Sequence, residues 1–245
     1  QVTKQGFTYV FDRATGVPVW PIIERAVPAA TIPGERASPT QPFPTKPPAF
    51  ALQGLTEDDL IDFTPQLRAE AVQRLQNFTY GPLFTPPSLP QGKKRGTILM
   101  PGAGGGANWT GAGIDPESGV LFVPSRDSAT VPRMGTLDGD ESNFNYFRLN
   151  FLGVAGPQGL PILKPPYSTI TAFDMNSGEI LWRVPNGAGS AQVENSPALE
   201  GIDLPPLGGG GRHAVLVTSS LLIHGQNAGY GPLLVARNKE TGEEI

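Results

Sequence analysis

The hexapeptide Gly104-Gly105-Gly106-Ala107-Asn108-Trp109 is where residue types suited to binding chemistry meet. A glycine-rich turn lets other backbone approach closely and delivers an amide and a flat aromatic ring to one point. An amide can hydrogen-bond the oxygens or nitrogens of a planar carbonyl compound, and an indole can pack on or beside its ring. Taken alone, the same residues also describe a glycine loop ahead of an ordinary buried tryptophan, and composition by itself favours that plainer reading. Other chemistry-bearing patterns lack their parts. His213 and His224 stand eleven residues apart, and the chain has no cysteine, so a metal cage, thiolate chemistry or a Ser-His-Asp arrangement is incomplete. Gly208 to Gly211 precede Arg212 without the Gly-Lys-Ser/Thr of a phosphate cradle. Asp138-Gly139-Asp140-Glu141 is a fragment of a calcium loop whose full pattern is missing, and reads as a solvated acidic loop.

The elements that must position these residues are announced by a recurring phrase: Asp or Asn, two variable residues, Ser or Thr, then Gly. It occurs as Asp12 to Gly16, Asp115 to Gly119, Asp174 to Gly178 and Asn238 to Gly242, and in the first and third a tryptophan follows, Trp20 and Trp182. The acid or amide side chain can bond backbone amides two residues on, and the glycine takes the positive φ of a tight hairpin. Apolar runs precede the phrase at Phe7 to Phe11 and Ile170 to Phe173, so each phrase reads as strand, turn, strand. Repetition of that unit is the mark of a propeller or solenoid. With 245 residues and 38% hydrophobic residues there is material for a real core, despite 31 Gly and 27 Pro. A net charge of -4 gives no electrostatic reason to expect nucleic acid as a partner. No apolar stretch approaches the roughly 18 residues of a membrane helix.

Spacing marks an insert. Successive phrases lie 59 and 64 residues apart from Asp115 onward, whereas Asp12 to Asp115 spans 103, so residues 24–95 interrupt the series. Seven prolines from Pro28 to Pro48 predict an extended, surface-wrapping path without strand pairing. Thr64-Pro65 is a helix cap and first position, and Leu67, Ala71, Val72 and Leu75 share one face, predicting a helix over 65–76. Gly96 to Pro101 then reads as a return to strand. The fourth phrase stops at Ile245, one position before its tryptophan would fall, so the chain is expected to be a portion of a longer protein.

The phrase with its tryptophan resembles the tryptophan-docking repeat of the pyrroloquinoline-quinone (PQQ)-dependent dehydrogenases. Val2 to Arg13, Ser38 to Pro48, Gly104 to Trp109 and Leu160 to Asp174 are similar to consecutive landmarks of the glucose-dehydrogenase-like branch of that family. The resemblance implies an all-β chain, about four blades of an eight-bladed propeller, forming one partial domain over 1–245. It implies a periplasmic or secreted bacterial enzyme that oxidises a sugar or alcohol hydroxyl and passes electrons to a membrane quinone or a cytochrome. PQQ would be bound beside calcium. Lys4, just ahead of Gly6-Phe7, matches a cation that meets the quinone oxygens, where a fixed ammonium stabilises developing negative charge. Asn108 and Trp109 become cofactor contacts on the same ground. Trp20 and Trp182 become blade dockers. The acid-base Asp and the calcium ligands would lie ahead of residue 1, so the missing propeller half is an expected partner and the chain alone is expected to be inactive. Two other classes remain open: a non-catalytic propeller scaffold, which would need neither Lys4 nor Asn108-Trp109, and a carbohydrate-binding propeller, marked by exposed aromatics on one face.

Overall fold

The computed structural model describes residues 1–137, 143–209, 211–227 and 231–245; the acidic segment 138–141 therefore lies outside the described residues. All four turn phrases adopt one geometry. Gly16, Gly119, Gly178 and Gly242 have φ of 72, 72, 73 and 77°, and each donates its N–H to the carbonyl of the Asp or Asn four residues earlier. The side chain closes the turn from inside. Asp12 Oδ1 accepts from Ala14 N and Thr15 N, Asp115 Oδ1 from Glu117 N, Asp174 Oδ1 from Asn176 N, and Asn238 Oδ1 from Glu240 N.

The strands between the turns are less uniform than the phrase suggests. Phe7 to Phe11 forms only isolated bridges, Val2↔Thr8 and Phe11↔Pro18, because Pro18 and Pro21 lack the N–H that would extend the ladder. Strands β1 (Ile22–Ala26) and β2 (Thr40–Pro44) then pair antiparallel, so part of the proline-rich segment does join a sheet, contrary to expectation. The register explains it. Thr45 N bonds Pro21 O and Val27 N bonds Pro39 O, which leaves Pro42 and Pro44, opposite Glu24 and Ile22, at the positions whose N–H would point away from the partner.

Helix α1 (Pro65–Leu75) matches the expected span. Thr64 Oγ1 accepts from Leu67 N, and Leu67, Ala71 and Leu75 are buried, with Val72 half-buried beside them. Burying each leucine contributes about 1.5–3 kcal/mol. The helix covers a core of its own, made with Leu55, Ile61, Ile98, Met100, Leu160 and Ile162, and not the main sheets. Gly96 to Pro101, expected as a strand, makes single bridges to Thr79 and Thr130 instead.

The remaining strands are β3 (Gly113–Asp115), β4 (Val120–Arg126), β5 (Thr130–Thr136), β6 (Tyr146–Gly153), β7 (Ser168–Asp174), β8 (Glu179–Pro185), β9 (Val215–Val217), β10 (Leu221–Asn227) and β11 (Pro232–Asn238); a short helix α2 (Ala191–Glu194) lies between β8 and β9. One antiparallel sheet has the order β3-β4-β7-β8, another β11-β10-β9, and β5-β6 is a separate hairpin leaving between β4 and β7. The turns at 115–119 and 174–178 thus belong to the same sheet, so four phrases do not mark four blades, and the 59-residue interval is a distance within one sheet. Strand β7 is buried on both faces. Its Ile170 and Ala172, with Phe122, pack on Leu222 of β10, while Phe173, with Val123, packs on Phe50 and Ala107.

Tryptophans lock turn to sheet. Trp182 donates from Nε1 to Lys239 O at 3.2 Å, and a Cβ added at Gly242 would come within 2.8 Å of its ring. Trp20 meets Gly178 in the same way, where an added Cβ would be 3.0 Å from the indole. A lysine accompanies each contact: Lys239 Nζ bonds the buried Asp115 carboxylate at 2.6 Å, and Lys46 Nζ bonds Ser177 O and Glu179. The Lys239 hydrogen bond, helped by Ser118, holds Asp115 well below the usual carboxylate range.

Candidate functional site

The site grows around the glycine loop. Gly102 N bonds Ser128 O at 2.8 Å and Gly105 N returns to Gly102 O at 2.8 Å, with Gly105 at φ 76°. Side chains at these glycines would have no room. A Cβ at Gly105 would lie 2.5 Å from Lys4 Cγ, and one at Gly106 would lie 2.5 Å from Ala51 Cβ. Absent side chains let three segments close on the loop.

Lys4 sits on the tight turn closed by Thr3 N to Phe7 O at 2.9 Å. Its carbonyl accepts from Gly106 N at 2.9 Å, and its Nζ donates to Ala103 O at 3.1 Å. Asn108 donates from Nδ2 to Gly104 O at 3.1 Å and accepts from Trp109 N at 2.8 Å. Lys4 and Asn108, far apart in sequence, therefore bond adjacent carbonyls of one loop. Trp109 is 90% exposed, so the plainer reading of a buried tryptophan does not hold.

Beside the loop opens a cavity of about 710 Å³, within the usual range for ligand pockets. Asn108, Trp109, Arg126, Asp127, Tyr167 and Arg212 line it, and Lys4 stands outside the lining. Strand pairing assembles the wall. Arg126 at the end of β4 is opposite Ser168 at the start of β7, and Asp127 N continues the contact to Tyr167 O at 2.9 Å. Arg126 N bonds Gly106 O at 2.9 Å, tying wall to loop, and the Arg212 guanidinium lies against Gly104, held through Thr110 Oγ1 to Arg212 O at 3.0 Å.

Burial pushes Asp127 up to about 6; the Leu52 N–H on its Oδ1 at 2.9 Å and the charge of Arg183 pull it down, and Asp59 adds to the rise. Tyr167 is also pushed above the usual phenol range by burial, and its hydroxyl is buried without a hydrogen-bond partner among the described residues. A buried phenol ordinarily has a partner. Residues 126 and 127 carry no sequence motif, and Tyr167 lies in the Leu160–Asp174 landmark with no role attached to it; the available signal was that these residues flank two apolar runs destined to pair. His213 lines the cavity, whereas His224 is buried against Arg237.

These residues fit a planar, anionic quinone. Asn108 retains one amide N–H, Lys4 retains two ammonium protons after bonding Ala103, the Trp109 face is open, and the Tyr167 hydroxyl lacks a partner. For calcium the fit fails: among the described residues no group of three His, Cys, Asp or Glu could hold a metal ion.

A docked-tryptophan β-sheet protein with a loop-built pocket is the class these features define. The sequence matches the PQQ glucose/ethanol/alcohol dehydrogenase β-propeller domain family over residues 1–245, and the chain belongs to that family. It is 32% identical over 216 residues to the glycerol dehydrogenase large subunit of Gluconobacter thailandicus, covering 77% of this chain and 29% of that protein. It is 29% identical over 204 residues to the quinate/shikimate dehydrogenase (quinone) of Acinetobacter baylyi, covering 76% and 25%. It is 27% identical over 232 residues to quinoprotein glucose dehydrogenase A of Acinetobacter calcoaceticus, covering 85% and 28%. The chain thus spans under a third of the length of these curated relatives. No helix among the described residues is long and apolar enough to cross a membrane.

Proposed function

We propose that the whole protein is a PQQ-dependent dehydrogenase that oxidises a sugar or alcohol hydroxyl, with the quinone seated at Lys4, Asn108 and Trp109. The observation that carries the reading is the meeting of Lys4 and Asn108 on adjacent carbonyls of the loop beside the cavity. When bound, the quinone accepts the two electrons removed from the hydroxyl carbon. Lys4, fixed by Ala103 O, offers its remaining N–H donors to an oxygen gaining negative charge. Asn108 orients through its free amide N–H, and Trp109 covers a ring face and excludes water.

In this reading residues 1–245 are one partial domain of an eight-bladed propeller, with the insert at 24–95. The outer face of β9-β10-β11, where Leu234 is 81% exposed, meets the missing half. That half supplies the acid-base carboxylate and the calcium ligands. Electrons leave to a membrane quinone or a cytochrome, and the protein works in the periplasm or outside the cell.

The test is Lys4→Ala in the full-length protein. Loss of a fixed charge at the developing oxyanion lowers kcat about 10²-fold or more, and Lys4→Arg recovers part of it. Unchanged kcat in Lys4→Ala, with unchanged quinone affinity in Asn108→Ala, overturns the assignment.

A further inference from the structure

Charge is unevenly placed along this chain. Between Glu70 and Asp115 the sequence holds Arg74, Lys93, Lys94 and Arg95 and no acidic residue, in a protein whose net charge is -4. The fold brings two of these cations onto one small cavity of about 270 Å³ at the foot of the β5-β6 hairpin. Arg74 comes from the last turn of α1, and Arg95 is held beside it: Asn77 N bonds Arg74 O at 3.1 Å and Arg95 N bonds Asn77 O at 2.8 Å. Phe78, Val131 and Leu152 supply an apolar wall, and among the described residues no carboxylate lines the cavity. Neither guanidinium is neutralised nearby. The ion pairs among the described residues use Lys46, Arg68, Arg237 and Lys239 as their cations. Glu70, one helical turn before Arg74, gives its Oε1 to Gln66 and Gln158 instead. The end of α1 does not present bare carbonyls to an anion, since those of Val72, Arg74 and Leu75 accept from Gln76 N, Asn77 N and Phe78 N. This cavity is separate from the one beside the glycine loop. Gly153 is the residue common to both linings, and Asn108, Trp109, Arg126 and Arg212 are on the other one.

We propose that Arg74 and Arg95 form a phosphate-binding site in this second cavity, taking the phosphate group of a free anion or of a lipid headgroup. Two guanidinium groups on one cavity repel each other, and an anion between them turns that repulsion into two attractions. A carboxylate presents two oxygens in one plane, which one guanidinium fork saturates, whereas a tetrahedral phosphate offers oxygens to two forks at once. The cavity is smaller than the roughly 300–1,000 Å³ of ordinary ligand pockets, so it suits a single charged group and not a whole cofactor. Leu152 of its wall is 45% exposed, and Leu149 and Phe151 on the same strand are 57 and 43% exposed, so the cavity opens beside apolar surface. The other two cations of the segment stand outside the lining: Lys94 Nζ is bound to Phe78 O at 2.6 Å, and Lys93 is exposed.

The experiment has two arms on the full-length protein: calorimetric titration with inorganic phosphate and, at equal ionic strength, acetate; and flotation with vesicles of phosphatidylglycerol or of phosphatidylcholine. Both arms are run on the parent protein, Arg74→Gln, Arg95→Gln and Lys93→Gln. The parent binds phosphate about ten-fold or more tighter than acetate, or floats with phosphatidylglycerol and not with phosphatidylcholine. In the arm that shows binding, each arginine variant loses about ten-fold or more, whereas Lys93→Gln, off the lining, loses less than about two-fold. Arginine-dependent binding of phosphate alone assigns the site to a free anion, and arginine-dependent binding of vesicles assigns it to a lipid headgroup. Binding in neither arm overturns the proposal, and so does acetate held as tightly as phosphate. A Lys93→Gln loss equal to that of the arginine variants also overturns it, because binding would then follow the diffuse charge of the segment and not a built site. Arg74 and Arg95 have exposed side chains, so the variants leave the core untouched; should one fail to fold, the other decides.

Discussion

Arg237 and His224 fix each other's chemistry. Arg237 Nε donates to His224 Nε2 at 3.1 Å, so the imidazole proton sits on Nδ1, 3.3 Å from Gly225 O. Burial pushes His224 below its ordinary 6.5, and Arg237 and His213 add to the fall, against the pull of Gly225 O and Glu244. The folded state therefore binds the proton less readily than the unfolded one, so stability is full above pH 6.5 and declines as pH falls toward the folded value. His224→Gln, which keeps an acceptor for Arg237 and does not titrate, should flatten that decline in denaturant unfolding measured across this range. His224→Ala should cost about 1–3 kcal/mol at neutral pH, because Arg237 Nε is left buried and unpaired. At this scale the site was only partly legible. Asn108 and Trp109, which line the cavity, are legible only through the family resemblance, since their residue types alone favour a buried tryptophan. Arg126, Asp127 and Tyr167 are not legible, since each is a single residue whose meaning depends on the β4–β7 register.

Among elements, the turn phrase carries the fold, and its glycine has two separable duties. Gly16 and Gly242 share nearly the same φ, 72 and 77°, but nothing lies within 4 Å of a Cβ at Gly16, whereas one at Gly242 meets Trp182 at 2.8 Å. Gly16→Ala should cost about 1–2 kcal/mol, the strain of positive φ alone. Gly242→Ala should exceed it by about 1–3 kcal/mol, the range for overpacking, because the indole is also tied to Lys239 O. Equal losses in denaturant midpoints would mean that the tryptophan does not dock there. The turns and α1 were legible because they depend on local rules: side-chain capping, φ at glycine, a proline at the first helical position. The ribbon of β1 and β2 was not, because prolines exclude a strand only where their N–H is needed, and that depends on register. The same ambiguity hid the sharing of one sheet by two phrases.

For the whole molecule, the question is which groups of this chain could act by themselves. The cavity brings together cations, an amide, an indole and a phenol, but in this chain Asp127 is the lining carboxyl with a pKa raised toward neutrality, to about 6. Its Oδ1 is taken by Leu52 N, and Arg183 reaches from Ala49 O toward it, so its geometry serves to anchor the wall. A base so committed is poorly placed to take a proton from a substrate hydroxyl. Positioned general-base catalysis contributes about 10² to 10⁴ in rate, and a chain lacking it should fall below detection with a slow substrate. Under the function proposed above, the isolated 245-residue chain, supplied with PQQ and calcium, should show no dye reduction with glucose or simple alcohols, whereas the full-length protein should show it. Turnover by the isolated chain would contradict this, and Asp127→Asn would locate the error. If that variant abolished the activity, the base would lie in this chain at the end of β4; if it did not, the chain would be using a proton acceptor other than Asp127.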